Sequence, residues 1–159
     1  MAEKQARWVL LAYRLPREPS TPRIAIWRKL KRLGVAQLLD GLVALPLDSR
    51  NRERLDWLAE EIIQAGGTAS TWTAQPTTVT QERDIARGLA AAIAAQYQEI
   101  TLEARAAGAE PPGPRRRTLG RLRRELDRIR RRDYFPPPER DEAHRAVQTL
   151  RAEVERATA

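Results

Sequence analysis

Five arginines, Arg117, Arg121, Arg124, Arg128 and Arg131, step along the chain by four, three, four and three residues. On an α-helix that alternation keeps returning to one face. A guanidinium is a planar fork that can meet two phosphate oxygens at once, so such a row could follow a nucleic-acid backbone. Arg115 and Arg116, just before the row, are grouped with it as candidate nucleic-acid contacts. Five phosphate contacts would give duplex binding a log–log salt slope of roughly −4 to −5. Two other readings of the row stay open. It could be a solvated face whose charges pair with Glu125, Asp127 and the acidic final segment, or a surface for an acidic protein or membrane.

The charge is concentrated there. Residues 115–132 hold ten arginines against two acids, so this one segment equals the +8 of the whole 159-residue chain. A charge confined to one segment points to a polyanionic partner more than a diffuse basic surface does. A second basic group, Arg14, Arg17, Arg23 and Arg28, surrounds a strand end and a helix start. Arginines so placed could hold an oxyanion. The simpler reading, preferred from sequence, has Arg14 and Arg17 pairing with Glu18 or capping a sheet.

Other chemistry has little to stand on. With no cysteine, disulfides, thiolate metal sites and thiol redox sensing are excluded. The single histidine, His144, reads as a surface residue, and a zinc site would have to rely on carboxylates. Glu60-Glu61 and Asp141-Glu142 are adjacent pairs on helices, whose side chains diverge rather than form an acid–base pair. There is no Gly-rich phosphate loop, HExxH or serine-hydrolase elbow. The expectation is a protein that is not an enzyme and has no metal or cofactor. No window approaches the ~18 apolar residues of a membrane span, and MAEKQAR lacks the apolar run of a signal peptide. A cytoplasmic location is expected.

The elements that must position these arginines follow from periodicity. Arg7–Leu15 is a nearly continuous apolar run ended by Pro16 and Pro19, and it predicts a central strand. Ser20 or Thr21 can cap a helix with Pro22 in its first turn, an apolar stripe of Ile24, Trp27, Leu30 and Leu33, and Gly34 at its end. Val35–Leu39 and Leu42–Leu45 flank Asp40-Gly41, a pair suited to a type I′ hairpin turn. Asp48 or Ser49 caps the next helix, with Leu55, Leu58, Ile62 and Ile63 apolar and Gly66-Gly67 closing it. Thr68–Ala74 reads as a strand carrying Trp72. The result is an α+β, ferredoxin-like βαββαβ domain over residues 7–76, with both helices on one sheet face. All four tryptophans lie in this half, which places the packed core before residue 80.

Residues 77–159 predict a helical extension. Gln81–Ala107 is one long helix with Ile85, Leu89, Ile93, Gln96 and Ile100 at helical spacing, and Gly108–Pro114 is a break. An Arg-rich helix, Thr118–Arg132 (its arginine row spanning 117–132), carries an apolar stripe of Leu119, Leu122, Leu126 and Ile129. Asp141–Ala157 follows with Ala143, Val147, Leu150 and Val154. The last two helices share one rhythm, which predicts an antiparallel helical hairpin.

The segments RLPREPSTPRIAIWRKLKRLG (14–34), LLDGLVALP (38–46) and LDWLAEEIIQAGG (55–67) together resemble the N-terminal domain of ChrB, a family of bacterial regulators encoded with chromate-efflux transporters. The likeness spans about residues 8–76, and the Arg-rich remainder also looks like the family. The resemblance implies transcriptional control that responds to chromate. The strand-proline-helix and Asp40-Gly41 hairpin module is also similar to the central domain of PaaX-type repressors, and through it to the small dimeric subunit of CRISPR spacer acquisition. The nuclease motif of that subunit places an Asp at the end of the first strand. Here Tyr13-Arg14 occupy that place, which argues against metal-dependent cleavage. PaaX repressors carry a winged helix-turn-helix before this module, whereas this chain starts almost at the first strand. ChrB proteins usually carry a further C-terminal domain, so a fragment or a short paralogue is expected.

The combined expectation is a homodimeric DNA-binding regulator with chromate as its effector. The ferredoxin-like domain would dimerise through an uncovered sheet face and open edges, and Arg115–Arg131 would contact phosphates. The alternatives are a non-catalytic interaction module, and then a nuclease or oxyanion-sensing protein using Arg14, Arg17, Arg23 and Arg28.

Overall fold

A computed structural model describes residues 7–159, and the leader reading at residues 1–6 lies outside the described residues. The chain divides into two compact units, Met1–Ile85 and Ala86–Ala159. The first holds β1 (Trp8–Arg14), α1 (Thr21–Leu33), β2 (Ala36–Leu39), β3 (Leu42–Pro46), α2 (Ser49–Gln64) and β4 (Thr68–Ala74). These strands make one antiparallel sheet in the order β2-β3-β1-β4.

The apolar run of the sequence becomes the sheet's central strand, β1, because it has neighbours on both sides. Val9 and Leu11 pair with Leu45 and Val43 across β3 and with Thr73 and Thr71 across β4. Thr71 Oγ1 donates to Asp56 of α2 at 2.8 Å, which marks this as the helix-covered face. Val9, Leu11, Val43 and Leu45 are buried there with Ile26 and Leu30 of α1 and Leu55, Leu58, Ala59 and Ile62 of α2. Lys29 of α1 and Glu61 of α2 join the two helices at 2.6 Å. The α2 cap forms as its sequence implies, Asn51 N–H donating to Asp48 Oδ1 at 2.6 Å.

The first helix corrects its predicted stripe. Ile26 and Leu30 are buried, whereas Ile24 and Trp27 are about half exposed. Three successive steps of three residues rotate by about 180° around a helix, so Ile24, Trp27, Leu30 and Leu33 cannot share one face. The tryptophans also depart from expectation. Trp8 is buried, but Trp27, Trp57 and Trp72 are all at least half exposed.

The Asp40-Gly41 turn forms, but not as type I′. Gly41 has φ 78° while no non-glycine residue among the described ones has positive φ, so only one of the two central residues is left-handed. A register shift between Gln37 and Leu39 accompanies it. A Cβ at Gly41 would collide with the carbonyl oxygen of Tyr13, whose own N–H donates to the Gly41 carbonyl at 2.8 Å. Glycine is therefore required twice over, by φ and by close approach.

The second sheet face is partly covered by the chain itself. Trp8 Nε1 donates to Glu82 Oε1 at 3.4 Å, and Trp8, Leu10 and Ala44 line a cavity of about 170 Å³ with Pro76, Gln81 and Ile85. The Trp8 end of this face is therefore covered and is not open to a second copy.

The helices are α3 (Val79–Ala107), α4 (Pro112–Arg130) and α5 (Glu139–Ala157) in addition to α1 and α2. In the second unit, Ile93, Tyr97, Ile100, Ala104 and Ala107 of α3 bury against Leu119, Leu122, Leu126 and Ile129 of α4 and Ala143, Val147 and Leu150 of α5. A second core thus forms after residue 80, built from small and aliphatic residues rather than tryptophan. The expected two-helix hairpin shares this core with a third helix.

The Arg-rich helix begins at Pro112, six residues earlier than its periodicity suggests. Pro112 and Pro114 sit in the first turn, where a missing N–H costs nothing. Arg115 N–H already donates to the Pro111 carbonyl at 2.9 Å. Among the described residues, no helix is long and apolar enough to cross a membrane.

Candidate functional site

The α4 stripe Leu119, Leu122, Leu126 and Ile129 is buried, and the side chains between these positions stand outward. Arg116, Arg117, Arg121, Arg124, Arg128 and Arg131 are all exposed. Arg121 pairs with Glu103 of α3, and Arg128 pairs with Glu125 at 3.2 Å. All four of these side chains are more than a third exposed, and such surface pairs contribute at most about 1 kcal/mol. They yield readily to a phosphate. Arg116, Arg117, Arg124 and Arg131 have no carboxylate partner among the described residues.

Arg115 behaves differently. Its Nη2 donates to the carbonyls of Gly108 at 2.8 Å and Glu110 at 2.9 Å, so it ties down the α3–α4 turn. Periodicity could not separate it from its neighbours, because its role depends on where the preceding helix ends. Two residues left out of the predicted row, Arg123 and Arg130, are also exposed. Their seven-residue spacing is the signal that could have found them. The acidic final helix does not neutralise the row. Glu142 pairs with Arg105 at 2.9 Å, Glu155 with Arg151 at 2.9 Å and Asp141 with Arg140 at 3.7 Å.

The second basic group converges in part. Arg14, Arg23 and Arg28 line one cleft of about 860 Å³ with Tyr13, Trp27 and Asp40, and Arg17 is not on its lining. Arg14 stands at the end of β1, while Arg23 and Arg28 come from the first turns of α1. The anticipated pairing of Arg14 or Arg17 with Glu18 does not form among the described residues. Burial raises the Tyr13 phenol above its ordinary range, the Asp40 carboxylate adds to this, and Arg23 opposes it. Tyr13 therefore stays a neutral donor at physiological pH. Lys31 Nζ lies 4.2 Å above the Trp27 ring. Three guanidiniums against one carboxylate give the cleft a net positive field suited to an anion.

The weaker candidates stay apart. His144 is exposed on α5, its ring 6.5 Å from Tyr97. Glu61 is engaged by Lys29, and Asp141 and Glu142 by different arginines. Among the described residues, no three His, Cys, Asp or Glu side chains stand close enough to hold a metal ion.

A family model described as "Protein ChrB, N-terminal" matches residues 23–110. The matched span takes in α1 to α3, with Arg23 and Arg28, and ends before the α4 arginines. No curated protein and no solved structure matches the chain.

Proposed function

The chain belongs to the ChrB N-terminal family, and on that premise we propose that it is a cytoplasmic DNA-binding transcriptional regulator of chromate resistance rather than an enzyme. The observation that carries the DNA contact is the outward arginine row Arg117, Arg121, Arg124, Arg128 and Arg131, five exposed guanidiniums of which three have no acidic partner among the described residues. Arginine forks along about four turns of helix would meet successive phosphates and read no base. Arg115 supports the row by fixing the turn before it.

The first unit would serve as scaffold and dimer former. Its βαββαβ order and its β2-β3-β1-β4 sheet support a ferredoxin-like reading. The likeness to the PaaX module rests on the strand-proline-helix and Asp40-Gly41 residues alone. Chromate would act as effector in the cleft of Arg14, Arg23 and Arg28, which an anion could bridge. This second reading is favoured by the convergence of three arginines that have no ion pair among the described residues.

A mobility-shift assay on the DNA upstream of the chain's own reading frame tests the proposal. The account expects a shift that is lost when Arg121, Arg124 and Arg128 are replaced by Glu, with the helical circular-dichroism signal unchanged. An unchanged shift with the triple variant would sink the α4 contact. For the effector, Arg23→Ala should abolish any change that chromate makes to the shift while leaving the chromate-free shift intact.

A further inference from the structure

We infer that the outer edge of β4 is a homotypic interface, at which a second copy of this chain adds its own β4 to make one continuous eight-stranded sheet. This deepens the dimer reading by naming its surface, and it is independent of the DNA contact.

The sheet has two edges, and they differ. β2 is four residues long and its ladder carries a register shift between Gln37 and Leu39. Short length and irregular pairing both blunt an edge. β4 runs for seven residues, Thr68–Ala74, each in register with β1 from Thr68↔Arg14 to Ala74↔Trp8. Its sequence TASTWTA contains no charge and no proline. It has no strand partner on its outer side among the described residues. Among the described residues this edge is not short, charged, proline-bearing or irregularly paired, the features that blunt an edge.

Apolar side chains flank this edge on both faces of the sheet. Trp72 alternates with Thr71, whose hydroxyl reaches Asp56 on the helix side, so Trp72 stands on the opposite face and is 61% exposed. On the helix side, Ile63 is 55% exposed. It lies seven residues after Asp56, which puts it on the same face of α2, the face turned toward β4.

A second β4 fits better than any other strand. It is equally long, and with no charge in either strand no like charges are opposed. Antiparallel pairing about a two-fold closes after two copies, whereas β4 on β2 would propagate as a filament. Strands sit about 4.8 Å apart. With α2 above β4 and β1, the two-fold brings the two α2 helices to roughly 10 Å, the upper end of the range at which helices pack. Seven residues at about 3.3 Å each give a contact ~23 Å long. Two layers deep, that buries on the order of 500 Å² per partner, short of the ~800 Å² of a standard interface. The dimer should therefore depend on concentration.

Sedimentation velocity on the full chain, from low to high micromolar, tests this together with the variants Trp72→Lys and Ile63→Lys. Both side chains are exposed, so the monomer fold should survive, as circular dichroism will report. The wild type should self-associate, and each variant should weaken association by about tenfold, because each places like charges across the two-fold. Because the chain has no cysteine, single cysteines at 70, 71, 72 and 73 add a check. One position, the one nearest the axis, should cross-link best. A wild type that stays monomeric overturns both this interface and the dimer reading. A dimer indifferent to both lysines, with no position-dependent cross-link, overturns the β4 interface alone.

Discussion

At the scale of single residues, position relative to a helix end decides what each polar group does. Arg115 and Arg116 are neighbours of identical type, yet Arg115 holds two carbonyls of the α3–α4 turn and Arg116 faces solvent. Tyr97 shows the same dependence in the second core. Its hydroxyl donates to Asp133 Oδ2 at 2.8 Å, and Asp133 Oδ1 is buried without a hydrogen-bond partner among the described residues. Burial first, then the hydrogen bond and charge of Asp133, raise the Tyr97 phenol well above its ordinary value, with Arg140 and Arg132 opposing. Since the folded-state value lies above the unfolded ~10, the unfolded chain releases this proton first. The stabilisation is complete below pH about 10 and is lost as pH rises through the folded value. Tyr97→Phe should cost about 1–3 kcal/mol at neutral pH by stranding the carboxylate. It should also flatten the alkaline loss of stability, as denaturant melts at neutral and alkaline pH would show. Parallel alkaline losses in both proteins would refute this role for the phenol.

At the scale of elements, legibility followed the regularity of the apolar spacing. The α4 positions Leu119, Leu122, Leu126 and Ile129 alternate by three and four, and all four are buried as that pattern requires. The same holds for Leu55, Leu58 and Ile62 of α2. In α1 the repeated step of three misled, and the true stripe passes through Ile26 and Leu30. The start of α4 was hidden because prolines usually signal a break, yet they are welcome in a first turn. The arginine face was readable for the same reason as the stripe opposite it, whereas the cleft was not. Bringing Arg14 to Arg23 and Arg28 depends on how β1, α1 and the Gly41 turn meet in space. Because Leu122 is fully buried in the three-helix core, Leu122→Ala should lower unfolding free energy by about 2–5 kcal/mol. Thermal melts would check it, and a loss under about 1 kcal/mol would mean that the core can collapse around the gap.

At the scale of the whole molecule, composition and charge were informative about partners and less so about packing. Four tryptophans in the first half suggested a single aromatic core there, but three are at least half exposed and a second, aliphatic core stands in Ala86–Ala159. The charge told more. The segment that equals the net +8 forms a helix whose outward arginines mostly have no acidic partner among the described residues, the arrangement a polyanion would select. The proposed role of this helix is to bind DNA through its phosphates. The most direct measurement is the affinity for duplex DNA across a range of salt concentrations. The account predicts a straight log–log line with a slope of roughly −4 to −5, reduced by about one for each of Arg117, Arg124 and Arg131 replaced by Ala. Salt-independent binding, or a slope unchanged by those replacements, would contradict it.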